Sequence, residues 1–388
     1  MSVLFIAHGK RTKPQGMVDM AAFLGQRGHA ASVAHVWGDV KAIGRLDHTP
    51  DIVGLSVHTE NAGRLRQAVG IVRRRWPKAK LVIGGPHVCS DVFDQEPDFL
   101  GLADWLVIGD GEYAMLDILD GAAPGIIHGV PLSQEDFARL PMPTADTVRA
   151  MFRARPEAIL MNRGCPFSCS FCHAFRKRIV YRDPGQVVAY LRMLDDAVGV
   201  RAWFVTDDVF AVNKTWLGQF ADEVQKQNYT KPLRCFIHGR MFDQERFDLL
   251  RRAGVVHVTL GAESGDDDVL RLANKGTTLA DYERINDMFR GQTAAELHCL
   301  WMLGLPGETP QTLLATLDAA RRIGQRGPNF GFATPYPGTQ FYQTVAEHGR
   351  IVEPNWHRWT PNRVSFVPNG ATVADLRRAM QAGKRIRM

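Results

Sequence analysis

Six cysteines occur in the chain, at positions 89, 165, 169, 172, 235 and 299, and three of them share one short run. That run reads Cys165-Pro166-Phe167-Ser168-Cys169-Ser170-Phe171-Cys172, a C-x3-C-x2-C spacing. Thiols packed this tightly suit metal or cluster ligation better than disulfides, which pair dispersed cysteines in secreted chains. A structural zinc ion asks for four closed ligands; no fourth cysteine is near, and His173 is the candidate that could complete the set. An iron–sulfur cube held by three thiolates leaves one iron open to an outside ligand, the arrangement of a catalytic cluster. Cys89, Cys235 and Cys299 sit in apolar context and read as buried, inert thiols.

Further polar groups follow at the ends of apolar runs. Thr206-Asp207-Asp208 closes one such run, with a helix cap as the alternative role for its carboxylates. Arg240 follows another, with a surface ion pair as its alternative. Gly261-Ala262-Glu263-Ser264-Gly265 and Asn274-Lys275-Gly276 come next. Leu303-Gly304-Leu305-Pro306-Gly307-Glu308-Thr309 and Thr334-Pro335-Tyr336-Pro337-Gly338-Thr339 are turn-rich loops, and turn chemistry alone would explain either one singly.

The elements that must position these groups alternate strand and helix. Over residues 157–345, strands are expected at 158–162, 202–205, 233–238, 255–260, 296–303 and 329–334, separated by helices such as 184–197 and 310–323. Six strands each followed by a helix predict a partial (βα)6 barrel, whose functional groups stand at the carboxyl ends of the strands. The N-terminal 120 residues alternate in the same way, with strands at 3–7, 31–36, 51–57, 80–83 and 103–108. They predict a Rossmann-like, doubly wound parallel sheet with its crevice beyond the strands' carboxyl ends. No loop there has the G-x-G-x-x-G spacing of a dinucleotide site. Residues 121–156 hold repeated proline and glycine breaks and are expected to be a linker; 346–388 form a short C-terminal extension, whose Trp356, Trp359 and Phe366 should cover the barrel's open edge.

Composition narrows the class. Hydrophobic residues make up 45% and charged residues 23%, so the chain is expected to be folded and globular. The net charge of +6 is spread in short patches such as Arg73-Arg74-Arg75, which argues against a nucleic-acid partner. No run of about 18 apolar residues and no signal-peptide pattern are found, so a cytoplasmic protein without a membrane span is expected.

The cysteine spacing, with Phe171 directly before Cys172, resembles the signature of the radical S-adenosylmethionine (radical SAM) enzymes, and the downstream motifs resemble one large branch of them. The resemblance implies a [4Fe–4S] cluster on Cys165, Cys169 and Cys172. It implies S-adenosylmethionine bound near Phe171, Asp207, Asp208, Arg240, Glu263, Ser264, Gly304, Pro306 and Tyr336, with Glu263 reaching the ribose. A reducing partner such as flavodoxin or ferredoxin and a small-molecule substrate are implied too.

The N-terminal domain resembles the cobalamin-binding domain of that branch. Cobalamin is then expected near Ser56, Gly84 and Gly85, with His58 facing the cobalt. The D-x-H-x-x-G motif of many cobalamin domains is not present: the corresponding segment is Ile6-Ala7-His8-Gly9-Lys10-Arg11. The implied reaction is methylation of an unactivated carbon, with radical ring formation, oxidation or rearrangement as the enzymatic alternative. A cobalamin-binding or redox-sensing module is the non-enzymatic one.

Overall fold

The computed structural model describes residues 1–9, 14–151, 157–173, 176–292, 295–324 and 326–386. The chain divides into two compact units, 1–156 and 157–388.

The first unit is a parallel sheet of six strands: β1 (Ser2–Ala7), β2 (Ala30–His35), β3 (Ile52–Ser56), β4 (Lys80–Gly84), β5 (Trp105–Gly109) and β6 (Gly125–Gly129). Their spatial order is β2-β1-β3-β4-β5-β6. β1, β3 and β4 are nearly continuous apolar runs buried on both faces, as strands sandwiched between helices require. The order reverses between β1 and β3, and in such sheets this switch point opens the ligand crevice. Residues 121–156, read above as a linker, carry β6 and the helices Gln134–Arg139 and Ala145–Met151. The breaks fall between these short elements, and β6 pairs with β5 along its whole length, which no local signal in that stretch foretells.

The second unit is also a parallel sheet of six strands, curled into a half-barrel. Its strands are β7 (Ala158–Ile159), β10 (Trp203–Val205), β11 (Leu233–Ile237), β12 (Val255–Glu263), β13 (Glu296–Leu303) and β14 (Asn329–Phe332), in simple spatial succession. Between β7 and β10 an antiparallel pair, β8 (Asn162–Arg163) and β9 (Val180–Tyr181), closes a loop that contains the three cysteines. The helices that return the chain are capped as their sequences predict: Asp183 accepts the Gln186 N–H, Asn213 the Trp216 N–H and Thr309 the Thr312 N–H.

The edge beyond β14 is covered by the C-terminal segment. The Phe332 N–H donates to the Pro361 carbonyl at 2.7 Å. Trp359 and Phe366 are fully buried, while Trp356 is half-buried. Two further strands, β15 (Gly349–Ile351) and β16 (Phe366–Pro368), pair antiparallel. The helix Val373–Gly383 then lays Leu376 and Met380 on Leu313 and Leu317 of the helix Pro310–Arg322.

Candidate functional site

Each of the five loops after β10 to β14 braces the cysteine loop. After β10, the Asp208 carboxylate accepts the Gly164 N–H at 3.2 Å. After β11, His238 stacks on Phe167 at 3.6 Å between ring centres and 15° between planes. After β12, the Asn274 side-chain amide donates to the Ser168 carbonyl at 2.7 Å, and the Ala273 carbonyl accepts the Ser170 N–H at 2.9 Å. After β13, Leu305 packs in the same apolar cluster as Phe171. After β14, the Pro337 carbonyl lies 2.8 Å from His173 Nε2, and the Phe341 N–H donates to the Ser170 carbonyl. Gly164 opens the loop at φ +109°, where a Cβ would lie 2.5 Å from the Arg178 carbonyl, so glycine is required.

The thiols sit close enough to act on one another. Burial, then Cys172 and Cys169, push the Cys165 pKa up to about 11. Burial also raises Cys169, opposed by the Lys275 ammonium, while Cys172 is exposed. Among the described residues no three His, Cys, Asp or Glu side chains converge as on one metal ion. Three thiolates that each take a different iron of a cube need no such convergence, so the donor set fits a [4Fe–4S] cluster.

The residues chosen from the sequence separate into groups. Asp208 is exposed beside the cysteine loop, whereas Asp207 is 2% exposed and its Oδ1 accepts the Met161 and Asn162 N–H groups at 2.7 and 3.1 Å. Burial holds the Asp207 pKa well above the carboxylate range. Asp207 therefore fastens β10 to the strand that launches the loop, and we assign it to structure.

Glu263 ends β12 at φ +67°, a strained conformation for a residue with a side chain. Its carboxylate meets the Lys275 ammonium at 3.1 Å, both side chains being about nine-tenths buried. Burial alone would lower the Lys275 pKa, but Glu263, Tyr282 and Cys169 outweigh it and hold it above the usual value. Ser264 is wholly buried and its hydroxyl faces the Thr316 hydroxyl at 3.3 Å; Gly265 fits against the backbone of the helix Pro310–Arg322. These two residues dock the loop against the helix Pro310–Arg322.

Arg240 is exposed, lies along Gly276 and makes no ion pair among the described residues. Gly304 has φ +96° and donates its N–H to the buried Glu308, whose pKa burial raises to about 8. Pro306 follows in the same loop, and half-buried Tyr336 lies 5.5 Å from the His173 ring.

Two groups were missed from the sequence. His238 Nε2 lies 3.9 Å from Cys169 Sγ, and Lys275 was read only as part of N-K-G. A histidine closing a barrel strand was the available signal for the first; only the fold that returns Lys275 to the end of β12 reveals the second.

In the first unit, His8 is 0% exposed and its ring lies near the Asn61 backbone without a well-formed hydrogen bond. Burial, foremost, lowers its pKa to about 4. Lys10 and Arg11 of that segment lie outside the described residues. The half-buried His58 closes a capping box, its ring accepting from the Asn61 backbone and its own N–H donating to Asn61 Oδ1 at 2.9 Å. A Cβ on Gly85 would lie 2.6 Å from the Val57 carbonyl, and one on Gly84 would make ordinary contact with Val107; Ser56 Oγ is beside Gly85.

Residues 159–320 match the model of the radical SAM superfamily. The chain carries a radical SAM domain. That family implies a [4Fe–4S] cluster and S-adenosylmethionine. The chain is similar to the anaerobic magnesium-protoporphyrin IX monomethyl ester cyclase of Rubrivivax gelatinosus, 25% identical over 78% of this chain and 60% of the cyclase. It is similar to the bacteriochlorophyllide d C-8(2)-methyltransferase of Chlorobaculum tepidum, 26% identical over 80% of this chain and 71% of that protein. In fold it matches the radical S-adenosylmethionine methyltransferase TsrM of Kitasatospora setae, solved with cobalamin and a [4Fe–4S] cluster bound. That match has a TM-score of 0.69 at 20% identity, over 89% of this chain and 75% of that one. No helix among the described residues is long and apolar enough to cross a membrane.

Proposed function

We propose that this radical SAM enzyme methylates an unactivated carbon of a small molecule, with cobalamin as the methyl carrier. The observation that carries the reading is the three-thiol loop held by every strand-end loop from β10 to β14. When bound, the cluster with S-adenosylmethionine and one electron from a flavodoxin- or ferredoxin-like donor supplies a 5′-deoxyadenosyl radical, and cobalamin supplies the methyl group.

The chain's own part is to hold, neutralise and exclude water. Cys165, Cys169 and Cys172 would hold three irons. Lys275 offsets negative charge at Cys169 and pairs at 3.1 Å with Glu263, whose carboxylate would meet a ribose hydroxyl. Asp208 and Arg240, exposed beside the loop, would meet the amino and carboxylate ends of the methionine moiety, and the Gly304 to Pro306 and Tyr336 loops would flank the adenine. In the first unit the β1/β3 switch point would take the corrin near Ser56, Gly84 and Gly85. His8 is buried and the His58 ring serves as a cap, so cobalt would bind without a protein histidine. Nitrogen splitting of the Co(II) electron paramagnetic resonance signal that disappears in His58→Ala would overturn that point.

The C. tepidum relative supports methyl transfer, whereas the R. gelatinosus relative supports ring formation without it. Anaerobically reconstituted protein given dithionite, cobalamin and S-adenosylmethionine separates them. Methyl transfer predicts 5′-deoxyadenosine together with S-adenosylhomocysteine and methylcobalamin; 5′-deoxyadenosine alone favours the second reading. Cys165→Ala, Cys169→Ala and Cys172→Ala should each lose the cluster and the formation of 5′-deoxyadenosine. Retention of cluster iron and 5′-deoxyadenosine in any of the three would sink the assignment.

A further inference from the structure

The sheet of the second unit has one face buried against its helices and a second that is chemically unusual. In a closed barrel the inward face is filled by branched apolar side chains. Here the parallel register sets Phe204, Arg234, His257 and Glu296 in one row across β10 to β13, and Phe236, Thr259 and His298 in the next. Residues paired in register share a face, and the alternate positions Cys235, Val258, Leu297 and Cys299 form the buried core of the opposite one. Toward the carboxyl ends the face continues through Leu300 to Met302, which packs in one cluster with Phe171. It therefore begins beside the cysteine loop. At about 3.3 Å per residue, His298 stands roughly 13 Å and Glu296 roughly 20 Å along β13 from Met302.

Several features of this face ask for a ligand. Phe204 and Phe236 meet edge to face at 5.1 Å and remain only half-buried. The His257 and His298 rings lie 5.7 Å apart; burial, and after it the neighbouring charges, hold both below the ordinary histidine pKa. Nδ1 of His298 is buried without a partner. The Glu296 carboxylate is taken by Arg326. Arg234 is exposed and forms no ion pair among the described residues. With the histidines neutral, two arginines and one glutamate leave a single positive charge. A carboxylate matches it, whereas a phosphate dianion would leave excess negative charge beside Glu296.

We propose that this face binds the remote end of the substrate, an apolar or aromatic body lying along Phe204 and Phe236 and a carboxylate on Arg234, with a hydrogen bond from His298. The inference rests on reading the chain as a radical SAM enzyme of small molecules, and it names the class: elongated acids whose reacting carbon lies about 13–20 Å from the carboxylate.

The test uses the full reconstituted protein and two fluorescent probes of one shape, 1-pyrenebutyrate and 1-pyrenebutanol. The acid should bind at least tenfold more tightly than the alcohol. That preference should vanish in Arg234→Gln, shrink in His298→Ala and largely return in Arg234→Lys, while affinity for the alcohol stays constant. Equal affinity for the two probes, or a preference that survives Arg234→Gln, would overturn the proposal. Formation of 5′-deoxyadenosine is measured on the same samples. Selective acid binding without it upholds this site and defeats the reading of the reaction; 5′-deoxyadenosine without acid selectivity does the reverse.

Discussion

Gly85 and Gly261 stand at comparable places, each at the carboxyl end of an interior strand of a parallel sheet, and a side chain on either would crowd a neighbour. At Gly85 a Cβ would strike the Val57 carbonyl at 2.6 Å and the Val57 amide at 2.8 Å. At Gly261 it would strike the Glu263 carboxylate and come within 3.1 Å of the Lys275 ammonium. One glycine lets two loops of the chain touch, while the other makes room for a buried ion pair beside a thiol loop. A glycine at a strand end is thus a statement about crowding, and what does the crowding decides whether it marks a site. By that measure Gly261 points to a site, whereas the crowding at Gly85 is explained by the chain's own packing.

The sharpest way to break this comparison is at the ion pair. Lys275→Met leaves the Glu263 carboxylate buried without its cation, which should destabilise the second unit by about 3–5 kcal/mol. Adding Glu263→Gln to Lys275→Met removes the orphaned charge and should recover much of the loss. Chemical denaturation of the single and double variants checks both. Equal stability of wild type and Lys275→Met would mean that the pair is solvated and Gly261 is ordinary.

A second buried carboxylate gives a pH signature. Burial raises Glu308 to about 8, against the Gly304 and Leu305 amides, which lower it. Between the unfolded carboxyl value of about 4.3 and the folded value, the native state holds a proton that the unfolded chain has lost. Stability should therefore be complete at acid pH on this account and fall as pH rises through that window, with a limiting slope of about 1.4 kcal/mol per pH unit. Glu308→Gln should flatten the slope in denaturation midpoints measured from pH 5 to 8. An unchanged slope would place the carboxylate in contact with water.

Much of this architecture is legible in the residues. The strand at 296–303 and the helices starting at Pro184 and Pro310 follow from apolar runs, capping side chains and proline at the first helical turn. The cysteine loop stands out by its spacing alone, though its role as a cluster site comes from the family resemblance. What could not be read is partnership across strands. Asp207 and Asp208 are adjacent and chemically identical, yet one faces the interior and the other the loop, because strand β10 ends between a buried backbone and an exposed one. β6 shows the same limit: its half-exposed sequence has little strand pattern, and its pairing with β5 supplies what the pattern lacks.

On the other side of the comparison, Gly85→Ala forces a side chain onto the Val57 backbone at φ +105°. The cost should be about 1–3 kcal/mol, felt by the first unit. Cluster iron and its visible absorbance should be unchanged, and loss of the cluster in Gly85→Ala would show that the two sets of loops depend on one another.

The smallest expected effect concerns His238. Its Nδ1 accepts the Arg240 N–H at 3.2 Å, and burial, with Lys275 and Arg240, lowers its pKa to about 3, so the ring is neutral and its one proton sits on Nε2. That nitrogen is the one 3.9 Å from Cys169 Sγ, which makes it a weak donor to the thiolate. Donors to cluster sulfur favour the reduced, more negative state and raise the reduction potential. His238→Phe keeps a ring stacked on Phe167 and removes the proton, so the potential should fall. The shift should stay below the 59 mV that corresponds to a tenfold change in a one-electron equilibrium. Redox titration followed by electron paramagnetic resonance reads it directly, with His238→Gln, which restores an N–H donor, recovering part of the difference. A potential that does not move in His238→Phe would reduce the histidine to a packing partner of Phe167 and leave Lys275 as the group that tunes Cys169.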